Sequence, residues 1–200
     1  MTLTTSQTKP YTAEEYLALE VVSDLRHEYR HGEIIPMTGG TPAHNEITRM
    51  LVFLLTADLR KQPYSIFVTD QRLWIPDLDQ YTYPDIMVTP RPPELKPDRR
   101  DTVINPILLA EVLSDSTEKY DSPSETLCDR GDKFEAYRTI STVQEYLLIA
   151  QDKPHVEQYV KQAENQWLFT EYHDLSATFK LQSVGVAISL ADLYEAGFSE

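Results

Sequence analysis

The sequence predicts a single-domain α/β (α+β) protein in which a mixed β-sheet is flanked by helices and joined by an N-terminal hairpin and C-terminal strands. Three observations predict it. The run 107–113, Ile-Leu-Leu-Ala-Glu-Val-Leu, is almost continuously apolar and too short for an independent helix, as expected of a central strand covered on both faces. A helical segment at 129–140 and a second buried strand at 145–150 follow it, and strand, helix, strand is the crossover of a parallel pair. The whole chain has 200 residues, 41% hydrophobic and 25% charged, which is one domain's worth of ordinary globular sequence.

The remaining elements follow in order. Residues 1–10 are expected to be disordered or extended, with the domain spanning 11–200. Thr12 and Glu15 form a capping box that opens a short helix to about residue 19. Strands at 25–30 and 33–37 make a hairpin through His31-Gly32, where glycine takes the positive φ of a tight turn. Ile47, Met50, Leu51, Leu54 and Leu55 recur at helical spacing, so 43–61 is an amphipathic helix with His44 and Thr48 on its inward side. Strands are expected at 65–69, 72–75 and 83–88, the last starting at Pro84 where a missing N–H is tolerated. Prolines mark 90–97 as a loop, and 114–126 is polar and contains Pro123. Strands at 155–161, 167–172 and 178–181 precede a last helix, capped by Ser189 and Asp192 and ending near Gly197.

Composition narrows the function classes. The net charge of −14 works against tight nucleic-acid binding, which draws on clustered Lys and Arg and on counterion release. A single cysteine, Cys128, makes no internal disulfide and no Cys-rich zinc cluster, and it has no cationic neighbour to activate it. Residues 1–10 lack a basic and apolar leader pattern, and the longest apolar run, 50–55, is too short to span a bilayer. A cytoplasmic protein without a membrane partner is therefore expected. No Gly-rich phosphate loop or Ser-His-Asp pattern is present.

Glu111 is the residue that asks for chemistry, because an ionised carboxylate inside an apolar strand costs several kcal/mol unless a cation, hydrogen bonds or protonation compensate it. Asp85, in Tyr83-Pro84-Asp85-Ile86-Met87-Val88, is a second acid embedded in an apolar strand. If the two strands are neighbours, the acids can share one ion. Mg²⁺ takes one or two carboxylates and keeps several waters, leaving positions for a phosphate and an attacking water. That is the minimum apparatus for phosphodiester hydrolysis.

Pro84-Asp85 followed by a strand with Glu111-Val112-Leu113 resembles the PD-(D/E)XK restriction-endonuclease-like superfamily, although leucine stands where the superfamily places its lysine. The runs 111–117, 132–137 and 144–146, with Glu28-Tyr29-Arg30-His31-Gly32-Glu33-Ile34 and Leu193-Tyr194, are similar to one branch of it. This branch is a bacterial, cyanobacteria-rich family of predicted restriction endonucleases, long classed as a domain of unknown function. There the lysine sits on the following helix, and Lys133 occupies the matching position, one turn before Tyr137. Residues 122–128 look like an insertion ahead of it. The resemblance implies a restriction-endonuclease-like core and an endonuclease (hydrolase) acting on DNA. In it, Asp85 and Glu111 hold Mg²⁺ or Mn²⁺ with the Val112 carbonyl, and Lys133 orients the attacking water or stabilises developing negative charge. A homodimer is implied by analogy with the fold.

Plainer readings stand beside these. Pro-Asp pairs begin turns, and a helix lysine is ordinarily solvated. His44 is an accessory candidate, though a histidine at a helix start is more often a cap or a satisfied core residue, Glu28 is a third carboxylate whose plainer reading is a solvent-facing place on the hairpin, and Tyr137 suits core packing with its hydroxyl bonded. At the level of function, the alternatives are a catalytically silent interaction module that keeps the fold, and a metal-dependent phosphoesterase acting on small nucleotides.

Overall fold

The computed structural model describes residues 10–113 and 129–195. The expectations for 1–9, the 114–126 loop, the 122–128 insertion, Cys128 and the helix end near Gly197 lie outside the described residues.

Alternation along one strand organises the domain. In β8 (Leu108–Leu113) every residue is buried, with Leu108, Ala110 and Val112 entering one core cluster and Leu109 and Leu113 another. A strand sends successive side chains to opposite faces, so a continuously apolar strand requires a layer on each side. β8 accordingly sits inside a six-stranded sheet of order β11-β10-β9-β8-β6-β3, whose other members are β3 (Tyr64–Val68), β6 (Ile86–Pro90), β9 (Glu145–Ala150), β10 (Val156–Ala163) and β11 (Gln166–Tyr172). β8 and β9 are parallel, in register Leu108↔Glu145 to Leu113↔Ala150, and all other neighbours in this sheet are antiparallel. The sheet is mixed, and its parallel pair is the one required by the crossover.

The first face is covered by α2 (Pro42–Leu59), whose Ile47, Met50, Leu51 and Leu55 are buried, and by the C-terminal hairpin of β12 (Thr178–Leu181) and β13 (Val186–Ser189) with the short α4 (Leu190–Leu193). Glu145 ties this hairpin to the sheet. It is fully buried, accepts from Gln158 Nε2 at 2.5 Å and Gln182 N at 3.2 Å on one oxygen, and accepts from Ser183 N at 3.0 Å and Ser183 Oγ at 2.6 Å on the other.

A second sheet and α3 (Phe134–Tyr137) cover the other face. The second sheet has the order β2-β1-β5-β4-β7, from β1 (His27–Arg30), β2 (Glu33–Pro36), β4 (Arg72–Ile75), β5 (Gln80–Thr82) and β7 (Thr102–Val103). The hairpin turn carries positive φ at both His31 (50°) and Gly32 (85°), the pair a two-residue turn matched to strand twist requires. Outside the hairpin, α1 (Ala13–Val22) starts from Thr12 through the expected capping box. Buried Arg72 bonds Tyr83 Oη at 2.8 Å, Asp101 at 3.1 Å and Glu20 at 3.2 Å, joining α1 to the second sheet.

Four details differ from expectation. The strands fall into three sheets, of six, five and two strands, and β5, β7 and β13 were not anticipated. The predicted 83–88 strand begins at Ile86, because Pro84 offers no N–H to a ladder and separates β5 from β6. Asp85 therefore stands just before its strand rather than within it. The helix expected over 129–140 is a wide π-type turn at Asp129–Lys133 followed by the single turn of α3.

Candidate active site

The register of β6 against β8, with Ile86 opposite Ala110, sets Asp85 opposite Glu111, and the Asp85 N–H points at Glu111 Oε2 from 3.5 Å. Asp85 Oδ2 accepts from the Val112 N–H at 2.8 Å and is 3.0 Å from His44 Nε2. Asp85, His44 and Lys133 keep side-chain exposures of 15%, 12% and 14%, so the cluster is shielded without being sealed, while Glu111 is at 3%.

Each partner is delivered by a local feature. Thr41 accepts from the His44 N–H at 3.1 Å as the N-cap of α2, with Pro42 at the first helical position where no N–H is needed. His44 is thus fixed in the first turn, and its ring faces the start of β6. Gly40 packs under that ring, where a Cβ would fall 2.8 Å from His44 Nδ1. Nδ1 is buried with no hydrogen-bond partner among the described residues. A buried N–H without an acceptor is the costlier arrangement, so the proton belongs on Nε2, donated to Asp85.

On the opposite side, Lys133 and Tyr137 lie four residues apart at the π-turn and α3, a spacing that puts both on one face. Both reach the same oxygen: Tyr137 donates to Glu111 Oε1 at 2.6 Å and Lys133 Nζ is 3.2 Å from it. Phe134 anchors this segment against Tyr146, Tyr159 and Trp167, with ring centroids 4.5–5.9 Å apart. Arg30 on β1 holds Asp132 in the turn at 3.3 Å.

The electrostatics follow from these contacts. Burial pushes the Asp85 carboxyl up, but the hydrogen bond and field of His44, the Lys133 ammonium and the Val112 N–H outweigh it, and the group titrates below its ordinary range. Burial, with Glu111 adding to it, drives the Tyr137 phenol well above its ordinary value, so it remains a donor to Glu111.

The structure brings Asp85, Glu111, Lys133, His44 and Tyr137 together. Glu28 lies on β1, buried and bonded by the Thr82 hydroxyl, and its charge helps to raise the Tyr137 phenol. It lines a neighbouring cleft of about 290 Å³, open mouth included, with Arg30, Gln80, Thr82, Asp132, Lys133 and Tyr137. Lys133 and Tyr137 therefore form the wall between this cleft and the two acids. Val112 presents its N–H to Asp85. Gly40 and Thr41 were missed in the sequence, although Gly39-Gly40-Thr41-Pro42 carries the signal of a close approach followed by an N-cap and a first-turn proline.

Four similarities bear on this arrangement. A crystal structure described as "a putative nuclease belonging to DUF820" from Anabaena variabilis matches with a TM-score of 0.70 over 93% of this chain and 98% of that chain, at 21% identity. The match shows that the two chains share one fold. An uncharacterized protein of Synechocystis sp. is 43% identical over 164 residues, 82% of this chain and 88% of its own length. A second from the same organism is 33% identical over 183 residues, 90% of each chain. The family model described as "Putative restriction endonuclease" spans residues 13–191, and the chain belongs to that family, Uma2.

Proposed function

We propose that this protein is a nuclease that hydrolyses phosphodiester bonds in DNA and requires Mg²⁺ or Mn²⁺. The observation that carries the reading is the meeting of Asp85 and Glu111 across neighbouring strands, with Lys133 and Tyr137 aimed at Glu111. Two carboxylates, with the Val112 carbonyl as a further oxygen, are a hard donor set of the kind Mg²⁺ accepts while keeping its waters. An Asp85 held below its ordinary range is ionised at neutral pH and suits that role. When bound, the cation polarises a phosphoryl oxygen and makes a water more acidic.

The chain's own residues supply the rest. His44 fixes the rotamer of Asp85, and Tyr137 fixes that of Glu111. Lys133 carries a positive charge to the edge of the cleft, where it stabilises negative charge gathering on a phosphate. Arg30 of β1, paired with Asp132, lines the same cleft. Because the net charge of −14 opposes a polyanion, binding should be weak and salt-sensitive, with these local cations carrying it. A homodimer and a cytoplasmic location belong to the same reading.

The test is nicking of supercoiled DNA by the untagged full chain with Mg²⁺ or Mn²⁺. Asp85→Asn and Glu111→Gln should each lower the rate by about 10²-fold or more, and equal rates in both variants and parent would sink the assignment. A second reading has an observation of its own: His44, Lys133 and Tyr137 engage the carboxylates in a manner that also suits a silent interaction module. Calorimetry that finds no Mn²⁺ binding selects that reading. Cleavage of nucleotides but not oligomers would select a small-molecule phosphoesterase, which the acidic surface favours.

A further inference from the structure

The far edge of the large sheet holds a second group of ligand-type side chains. β10 and β11 pair with Glu157 opposite Glu171 and Val156 opposite Tyr172, and the next position outward sets His155 opposite His173. Alternation places positions two apart on one face, so His155, Glu157, Glu171 and His173 form two adjacent cross-strand pairs on a single face. The imidazoles stack with centroids 4.4 Å apart at 23°. Both turn Nε2 toward the same atom, Glu171 Oε1, His155 from 3.2 Å and His173 from 3.9 Å. Glu157 Oε1 lies 3.9 Å from His155 Nε2.

We propose that His155, Glu171 and His173, with Glu157 behind them, form a binding site for a zinc-type transition-metal dication. Bonds of 2.0–2.2 Å in a tetrahedral site put ligand atoms roughly 3.4 Å apart, and the two contacts to Glu171 Oε1, 3.2 and 3.9 Å, bracket that spacing. Ligand atoms of His155, Glu171 and His173 all lie within 4.8 Å of one another. Two imidazoles and a carboxylate select Zn²⁺ and its neighbours over Mg²⁺, which prefers oxygen alone. Accessibility is divided as a site requires. His155 and Glu157 are 9% and 6% exposed and anchor the floor, whereas Glu171 and His173 are 41% and 64% exposed and can close over an ion. Two glutamates directly opposite repel, and a dication between the strands turns that repulsion into attraction.

This group shares a face with Glu111, because the register runs Glu111↔Leu148, Leu148↔Glu157, Glu157↔Glu171 across the sheet. At about 4.8 Å per strand it lies on the order of 10–15 Å from Glu111, too far for a paired-metal centre, whose ions stand ~4 Å apart. The site clamps the β10–β11 edge and is independent of the nuclease reading.

The experiment is calorimetric titration of Zn²⁺ into the untagged full chain, with Co²⁺ absorption spectra as a report on imidazole coordination. The Asp85→Asn and Glu111→Gln variants serve as controls for the other site. Parent and controls should share one Zn²⁺ site of the same affinity, any further binding that the controls lose belonging to the other site, and His173→Asn and Glu171→Gln, both at exposed positions, should each weaken the shared site at least tenfold and remove the Co²⁺ bands. Failure of the parent to bind Zn²⁺, unchanged affinity in His173→Asn, or loss of the signal in Asp85→Asn overturns the proposal.

Discussion

Replacing Glu145 by glutamine separates a carboxylate that holds the fold from Glu111, which is proposed to serve chemistry. Every donor around Glu145 is fixed: one oxygen meets the Gln158 amide and the Gln182 N–H, the other the Ser183 N–H and hydroxyl. A glutamine must point its own NH₂ at one of these pairs. The better choice is toward Ser183, whose hydroxyl can turn round and accept, but the Ser183 N–H then loses its acceptor. An orphaned buried donor costs about 1–3 kcal/mol, and the remaining bonds weaken because the acceptor is no longer charged. Glu145→Gln should therefore cost roughly 2–4 kcal/mol, a fall in Tm of roughly 5–15 °C for a chain of this length. Glu111→Gln differs, because an amide oxygen at the Oε1 position still accepts from Tyr137 and Lys133, and the donor that its NH₂ then faces, the Asp85 N–H, makes only a long 3.5 Å contact with the parent carboxylate. Its loss should be no more than about half that of Glu145→Gln, while Mn²⁺ binding disappears. Circular-dichroism melts of the two variants decide the matter. A Glu145→Gln protein melting within about 2 °C of the parent, or a Glu111→Gln protein losing as much, refutes the reasoning.

Four further outcomes are expected. Tyr137→Phe deletes the 2.6 Å bond to Glu111. It should slow nicking about tenfold for a stability loss of about 1–2 kcal/mol, and an unchanged rate would reduce Tyr137 to packing. Gly40→Ala drives a methyl against His44 Nδ1, so nicking should fall with little change in Tm, and an unaffected rate would show that His44 does not need its present orientation. Arg72→Met leaves Glu20, 3% exposed, without its guanidinium and with only His27 and the Tyr83 hydroxyl beside it. It should cost about 3–5 kcal/mol in urea unfolding, and a cost below about 1 kcal/mol would show that the joint between α1 and the second sheet is not electrostatic. Lys133→Met should lower the nicking rate about 10²-fold and Lys133→Arg should recover part of it, whereas equal rates in Met and Arg variants would deny the lysine a charge-dependent role.

The elements legible in the sequence are those whose pattern is fixed by a packed face. Strands 145–150 and 178–181 and the 72–75 strand match their expected bounds, and the capping box of Thr12 and Glu15 opens α1 as read. Elements too short to show a period were missed: β5 and β7 have three and two residues, and they exist because β4 accepts them as neighbours. The 129–140 helix failed for a related reason. Its apolar positions are aromatic anchors at Phe134 and Tyr137, satisfied by a single turn packed on Tyr146. In the candidate site, Asp85 and Glu111 were legible as acids in apolar surroundings. The support given by Gly40 and Thr41 was not, since it depends on where α2 meets the end of β6. Glu145 shows the converse risk: it is as buried as Glu111, yet its four donors give it a structural explanation that only coordinates reveal.

Lys133 and β8, which carries Glu111, belong to different layers. Leu113 shares the Glu111 face of β8, two residues on, but it is 2% exposed within the cluster of Leu73, Met87, Leu109, Tyr137 and Ile140. An ammonium there would be buried among apolar side chains and would carry the desolvation cost that such a setting imposes. Lys133 reaches Glu111 from the opposite layer instead, along the wall of the cleft, where 14% of its side chain stays exposed. The charge is thus brought to the same carboxylate from a wetter direction, and the strand keeps its apolar continuity. Under the proposed reading, a cation that the π-turn and Phe134 hold beside Glu111 leaves position 113 to the apolar core.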